Sequence, residues 1–258
     1  MSAVGCPDPM PLSGAIWAAK SEAYATFVAK HLSANSVWLD AGCGNRLLER
    51  DLDPLENWLA ARCKTVVGMD ISVTSHRNIK SLVQGSLYRL PFADDSFDLV
   101  TCRMVVEHLD DPSKAFTEIS RCLRPDGAII VITPNLHNYG IFCNAVATKL
   151  LPEEWRLKLV HSSDARADAD IFPVRYRANT MPRLVRLLRE SNLQVHQQIG
   201  LHQVRPYWKK CGPLETIFMK LTPIHVVMVC AHKIPAKPLR RFGPQLVRSY
   251  EGSTRETV

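Results

Sequence analysis

Residues 37–45 read VWLDAGCGN, an apolar run that enters the carboxylate of Asp40 before Gly42, Cys43 and Gly44 turn the chain. Residues 66–72 repeat the layout as VVGMDIS, a second apolar run that ends in Asp70. Glycines allow positive φ and let a ligand approach bare backbone. An acid at the tip of the second strand accepts hydrogen bonds from both hydroxyls of a ribose. The chemistry these types and spacings offer is the grip of a βαβ unit on a nucleoside-bearing cofactor.

The turn discriminates among such cofactors. A dinucleotide fingerprint reads G-x-G-x-x-G around a pyrophosphate, but Leu47 stands where the third glycine belongs. Asp40 lies two residues before the first glycine, where a carboxylate repels a pyrophosphate and suits a cationic ammonium or sulfonium. Asp70 falls 28 residues after Gly42, beyond the roughly 20 of the dinucleotide pattern. All three departures point from NAD to S-adenosyl-L-methionine.

Four segments in order, LDAGCGN, VVGMDIS, GSLYRLPFADDSFDLV (85–100) and VVEHLDDPSKAFTEISRCLRPDGAIIVITPN (105–135), extend the pattern. Over about residues 36–135 the chain resembles the class I S-adenosylmethionine-dependent methyltransferases, in particular the small-molecule enzymes of ubiquinone and menaquinone biosynthesis. The resemblance implies an α/β, Rossmann-like, doubly wound and mostly parallel seven-stranded sheet with a lid insertion after strand five. It also implies roles. Asp40 and the backbone of Gly42, Cys43 and Gly44 meet the methionyl end, Asp70 takes the ribose, Ile71 packs on the adenine, and Met104 flanks the cofactor's other side. Ser86 departs from the family pattern, in which an Asp contacts the adenine amino group. A neutral acceptor there costs on the order of 1 kcal/mol, and Leu87 follows with its backbone N–H.

On the acceptor side, Glu107-His108 follows strand four, and His108 is the candidate general base. The pair also suits a helix start, with Glu107 on the N-terminal dipole. Related ubiquinone O-methyltransferases bind a divalent metal with a further Glu three residues before this pair. That position is Met104 here, so no metal is expected. Tyr139, His161, Arg175 and Tyr176 are candidate substrate contacts, the arginine because its guanidinium fork binds carboxylate or phosphate. The alternative is an arginine pair bonded to neighbouring acids such as Asp168 or Asp170.

Alternation of apolar runs and amphipathic stretches supplies the frame. Residues 1–35 read as an arm and a helix (16–32) over the cofactor mouth, and 36–135 as the cofactor-binding core. Residues 136–180 form the lid, 181–235 complete the sheet, and 236–258 form a tail expected to be disordered. Strands are expected at 37–40, 65–69, 81–84, 97–103, 128–133, 193–199 and 225–232, the last antiparallel by resemblance. Asp53-Pro54 and Asp111-Pro112 read as helix caps, and Pro125-Asp126-Gly127 as a turn.

Eight cysteines lack any C-x-x-C pair, which speaks against a disulfide framework or zinc site and for a reducing, cytoplasmic setting. No segment is long enough to span a bilayer. Lys and Arg outnumber Asp and Glu 13 to 4 from residue 181 onward, against 19 to 21 before it. The basic half suits a solvated face or an anionic partner such as a phosphorylated or lipid-linked substrate or an acidic surface. Interleaved aromatics of the RNA-binding kind are missing. The expected function is methyl transfer to oxygen or carbon of a small molecule. The alternatives are an RNA or protein methyltransferase and a catalytically silent partner protein.

Overall fold

The computed structural model describes residues 16–48, 52–73, 78–150, 172–202 and 212–235. The expected arm before residue 14, His161 and the tail from 236 lie outside the described residues.

Seven strands form one sheet: β1 (Val37–Ala41), β2 (Thr65–Asp70), β3 (Ser81–Gln84), β4 (Phe97–Arg103), β5 (Leu123–Pro134), β6 (Leu193–His202) and β7 (Ile224–Lys233), in the order β3-β2-β1-β4-β5-β7-β6. β1 to β5 pair in parallel, and β7 runs antiparallel to both β5 and β6. The strand order reverses between β1 and β4, so a crevice opens beyond their carboxyl ends, where α/β sheets bind ligands.

Strands buried on both faces read as continuous apolar runs, and their alternate residues feed two cores. Leu39, Val100, Ile129 and Val131 face one side with α3 (Pro112–Cys122) and α5 (Met181–Glu190), through Phe116, Ile119, Leu184 and Leu188. Trp38, Leu99, Ile130 and Met228 face the other with α1 (Ile16–Ala29) and α2 (Asp53–Ala60), through Tyr24, Val28, Leu55 and Leu59. Each large apolar side chain so buried contributes about 1.5–3 kcal/mol. α4 (Tyr139–Leu150) follows β5, and α6 (Gly212–Leu221), which the sequence did not announce, precedes β7.

Local signals held in part. Asp111 caps α3 by accepting from the Lys114 amide at 3.1 Å. Asp53 does not cap α2: Leu52 holds that position and Asp53 sits in the first turn, where it pairs with Arg46 at 3.4 Å. Thr180 occupies the cap position of α5 without a side-chain hydrogen bond. The Pro125–Gly127 turn is absorbed into β5 as an irregularity. Phe97 pairs with Leu123 and Leu99 with Ala128, and Asp126 takes the excess in a left-handed conformation at φ 64°.

Candidate active site

The turn after β1 is pinned to β2. The amides of Gly42 and Cys43 both donate to the Met69 carbonyl, at 2.7 and 3.1 Å. The Gly44 amide donates to Asp70 Oδ2 at 2.9 Å. Gly42 adopts φ 78° and Gly44 φ 53°. A Cβ on Gly42 would stand 2.2 Å from Val105 Cγ2, whereas one on Gly44 would meet nothing within 4 Å. The first glycine is therefore required by the protein's own packing, and the second faces open space. Cys43 turns its buried side chain inward onto Gly68, whose added Cβ would meet Sγ at 2.9 Å. Burial, aided by the Asp40 and Asp70 charges, pushes its thiol up to about 12, so Cys43 contributes backbone rather than a nucleophile.

At the tip of β2, Asp70 Oδ1 accepts from the Ser72 amide at 3.2 Å. Each carboxylate oxygen thus holds one backbone N–H and retains acceptor capacity. Ile71 beside it is 55% exposed, and Met104 at the end of β4 is 40% exposed. These two residues directly follow the carboxyl ends of β2 and β4, the strands that flank β1 on either side. Met104 also takes φ 56°, a conformation that costs a side-chain-bearing residue about 1–3 kcal/mol and clusters at functional sites. Ser86 Oγ accepts from the Tyr88 amide at 3.3 Å, which closes the turn that leaves β3. Leu87 is buried in the core.

Asp40 is buried beneath the turn, with Oδ1 accepting from Thr101 Oγ1 at 2.6 Å. Thr101 Oγ1 in turn accepts from the Trp38 indole at 2.8 Å and is hydrogen-bonded to the Tyr24 hydroxyl. Burial pushes the Asp40 carboxyl up to about 6, against the opposing pull of Thr101 and the Arg103 charge. Sequence reasoning found Asp40 but missed this support. A threonine inside the apolar run of β4 was its only trace.

Beyond β4, Val106–His108 form a 3-10 helix. Glu107 is buried, and its Oε2 accepts from Thr133 Oγ1 at 3.0 Å. Asn179 Nδ2 donates to the same Thr133 oxygen at 2.7 Å and to the Pro134 carbonyl at 3.2 Å. The Glu107 carbonyl accepts from the amides of Arg175 and Tyr176, at 2.6 and 3.0 Å. His108 Nδ1 lies 3.2 Å from the Pro173 carbonyl. A carbonyl only accepts, so the ring proton is on Nδ1 and the basic lone pair on Nε2. The ring also meets Phe172 edge-on, with centroids 6.2 Å apart.

The structure brings Arg175 and Tyr176 to this end of the sheet with His108. Arg175 Nε pairs with Asp110 Oδ1 at 2.9 Å, and Arg177 reaches the same oxygen at 4.0 Å. The acid that holds the arginine pair is thus Asp110; Asp168 and Asp170 lie outside the described residues. The Tyr176 hydroxyl accepts from Asn144 Nδ2 at 2.9 Å. Tyr139 is buried and stacks on Phe218 of α6, with centroids 5.8 Å apart, so it ties α4 to α6.

Residues 39–131 match the family described as a methyltransferase domain. This stretch is thus similar to methyltransferase domains. Its residues 42–44, 70 and 104 are those just placed around the crevice. The methyltransferase YcgJ of Bacillus subtilis is 45% identical over 49 residues, which are 19% of each chain. Its crystal structure superposes with a TM-score of 0.53 at 16% identity, covering 83% of this chain and all of the other. Demethylmenaquinone methyltransferase of Corynebacterium efficiens is 30% identical over 122 residues, or 46% of this chain and 52% of the relative. The chain spans about half or less of the length of these curated relatives. Geranyl diphosphate C-methyltransferase from Streptomyces coelicolor, solved with Mg2+, geranyl diphosphate and S-adenosyl-L-homocysteine, shares the fold. Its TM-score is 0.54 at 17% identity, over 84% of this chain and 79% of that one.

The residues of the methyltransferase domain fit S-adenosylmethionine. Gly44 leaves open space where a side chain would stand, Asp70 keeps acceptor capacity beside it, and Ile71 and Met104 offer exposed apolar faces. The position at which related O-methyltransferases carry a metal-binding Glu holds the thioether of Met104, a poor ligand for a hard cation. Among the described residues no helix is long and apolar enough to cross a membrane.

Proposed function

We propose that this chain is an S-adenosylmethionine-dependent methyltransferase that acts at an oxygen or carbon of a small-molecule acceptor. The observation that carries the reading is the joint placement of the Gly42–Gly44 turn and the Asp70 carboxylate, hydrogen-bonded to each other at the strand-order switch. Asp70 holds the ribose, Ile71 packs on the adenine, Met104 flanks the cofactor's other side, and buried Asp40 carries the negative charge beneath the methionyl end. When bound, the cofactor supplies a methyl group on a cationic sulfonium.

What remains for the chain is to align the acceptor at about 3 Å, exclude water and manage one proton. His108 is the proposed base. Its Nδ1 bond to Pro173 fixes the tautomer that presents a lone pair at Nε2, suited to the proton of a hydroxyl or an activated C–H. The segment after β5 acts as the lid, and Arg175, Tyr176 and Tyr139 are its proposed substrate-side residues. Arg175 and Arg177 share one acid, so the group keeps a net positive charge. That supports an anionic acceptor, phosphorylated or lipid- or glycan-linked.

Thermal unfolding with S-adenosylhomocysteine, with NAD as control, tests the cofactor assignment. A ligand at 100 times its Kd stabilises by about 2.7 kcal/mol, so Tm should rise by several degrees. A rise with NAD alone would reassign the cofactor, and a rise with neither would overturn the reading in favour of a catalytically silent fold. Transfer of labelled methyl to anionic small molecules, with RNA and protein as competing acceptors, then tests the acceptor class.

A further inference from the structure

At the opposite end of the sheet from the crevice, three potential metal ligands converge from distant parts of the chain. His31 follows the end of α1, whereas Cys230 and His232 are alternate residues of β7 and so project from the same face of the sheet. His232 pairs across the ladder with Ala128, at the amino end of the parallel strands. The ligand atoms of the three residues all lie within 4.8 Å of one another. His31 Nε2 stands 3.4 Å from Cys230 Sγ. Bond lengths of about 2.3 Å to sulfur and 2.0–2.1 Å to nitrogen at a tetrahedral centre place such atoms about 3.6 Å apart.

The surroundings are arranged as around a metal. His31 Nδ1 lies 2.9 Å from the Phe27 carbonyl, which fixes the proton there and turns Nε2 toward the thiol, the second-shell bond that metal-binding histidines make. His232 has a buried Nδ1 with no hydrogen-bond partner. Its ring lies 5.7 Å from that of His31 and meets His196 edge-on at 4.6 Å. Cys230 is 1% exposed.

We propose that His31, Cys230 and His232 form a site for a borderline-soft divalent metal ion of the zinc class, with one position open to water beside His196. Two imidazoles and a thiolate select such an ion over magnesium or calcium, which take oxygen ligands. Binding forms three bonds to the ion and releases the Cys230 thiol proton to solvent. The consequence is a staple. α1, whose Tyr24 is hydrogen-bonded to Thr101 beneath the cofactor turn, becomes fastened at its far end to β7.

The test uses the reduced, chelator-stripped full chain titrated with Co(II). One equivalent should give the intense ligand-field bands of a tetrahedral ion and a thiolate-to-cobalt charge-transfer band, both bleached by Zn(II). Cys230→Ser should abolish the charge-transfer band. His31→Gln and His232→Gln should keep that band and weaken binding by about 10–100-fold or more. Zn(II) should raise the Tm of the natural chain but not of Cys230→Ser. Should that variant fail to fold, His31→Gln, altered at a partly exposed helix end, carries the comparison. A natural chain with only the pale spectrum of hydrated cobalt, a charge-transfer band that survives Cys230→Ser, or unchanged affinity in both histidine variants would overturn the proposal.

Discussion

Replacing Gly42 by alanine should destabilise the protein by about 2–5 kcal/mol, and the loss should divide into two separable parts. At φ 78° a residue with a Cβ pays about 1–2 kcal/mol for the left-handed conformation. The new methyl would also stand 2.2 Å from Val105 Cγ2 and 3.0 Å from Cγ1, an overpacking that costs about 1–3 kcal/mol as Val105 shifts. Val105→Ala removes both γ-carbons and leaves only Cβ, at 3.2 Å. The double variant should therefore recover the steric part but not the conformational part. Urea denaturation of the four proteins in the cycle gives a coupling energy, expected to favour the double variant by about 1–3 kcal/mol. In thermal unfolding the single variant should lose roughly 4–20 °C. A coupling below about 0.5 kcal/mol would show that the glycine is not required by Val105, and the packing argument would fail.

Asp70→Ala should abolish S-adenosylhomocysteine binding in calorimetry while circular dichroism stays native, and unchanged affinity would remove Asp70 from the ribose site. Asp40 supplies a pH prediction. Its folded pKa of about 6 stands above the ordinary 3.8, so the native state holds this proton more tightly, and the stability it contributes below pH 4 fades as pH rises through 6. Asp40→Asn keeps an acceptor for Thr101 and removes the charge, so it should gain about 3 kcal/mol above pH 7 and nothing below pH 4; an equal difference at both pH values would refute the assignment. Arg175→Ala should raise KM for an anionic acceptor about tenfold with cofactor affinity unchanged, whereas Asp110→Asn, which releases the arginine, should lower it. Identical KM values in both variants would dismiss the anion. Thr133→Val should cost about 1–3 kcal/mol by removing one hydrogen bond each from buried Glu107 and Asn179, read from urea denaturation; a change under about 0.5 kcal/mol would deny that relay its weight.

The cofactor half of the site was legible because its signals are local. The glycine turn and the strand-tip acid each end an apolar run, and such runs delimit β1 to β4 and β7 to within a residue, whereas β5 begins at Leu123 and β6 ends at His202, beyond what they indicate. Contacts made across the sheet were not. Nothing near Asp40 announces that Thr101, 61 residues away, carries its hydrogen bond, and Asp110 is no closer in sequence to Arg175 than many other acids. Asp53 shows the limit of local rules: Asp-Pro reads as a cap at both helices, yet at α2 the carboxylate turns to Arg46 instead. The third metal ligand proposed, His31, lies 199 residues from Cys230, a distance no spacing motif spans.

The backbone amides of Arg175 and Tyr176 both hang from one main-chain oxygen, that of Glu107. A peg of this kind is indifferent to side-chain identity, because every residue except proline brings the amide it needs. The wall of the proposed acceptor site can therefore exchange side chains while the peptide groups hold it, within the limit that Tyr176 sits at φ 52°, a conformation that disfavours β-branched residues. Under the proposed function, different acceptors become reachable by substitution there with the cofactor half untouched, and proline at 175 or 176 is the replacement to avoid.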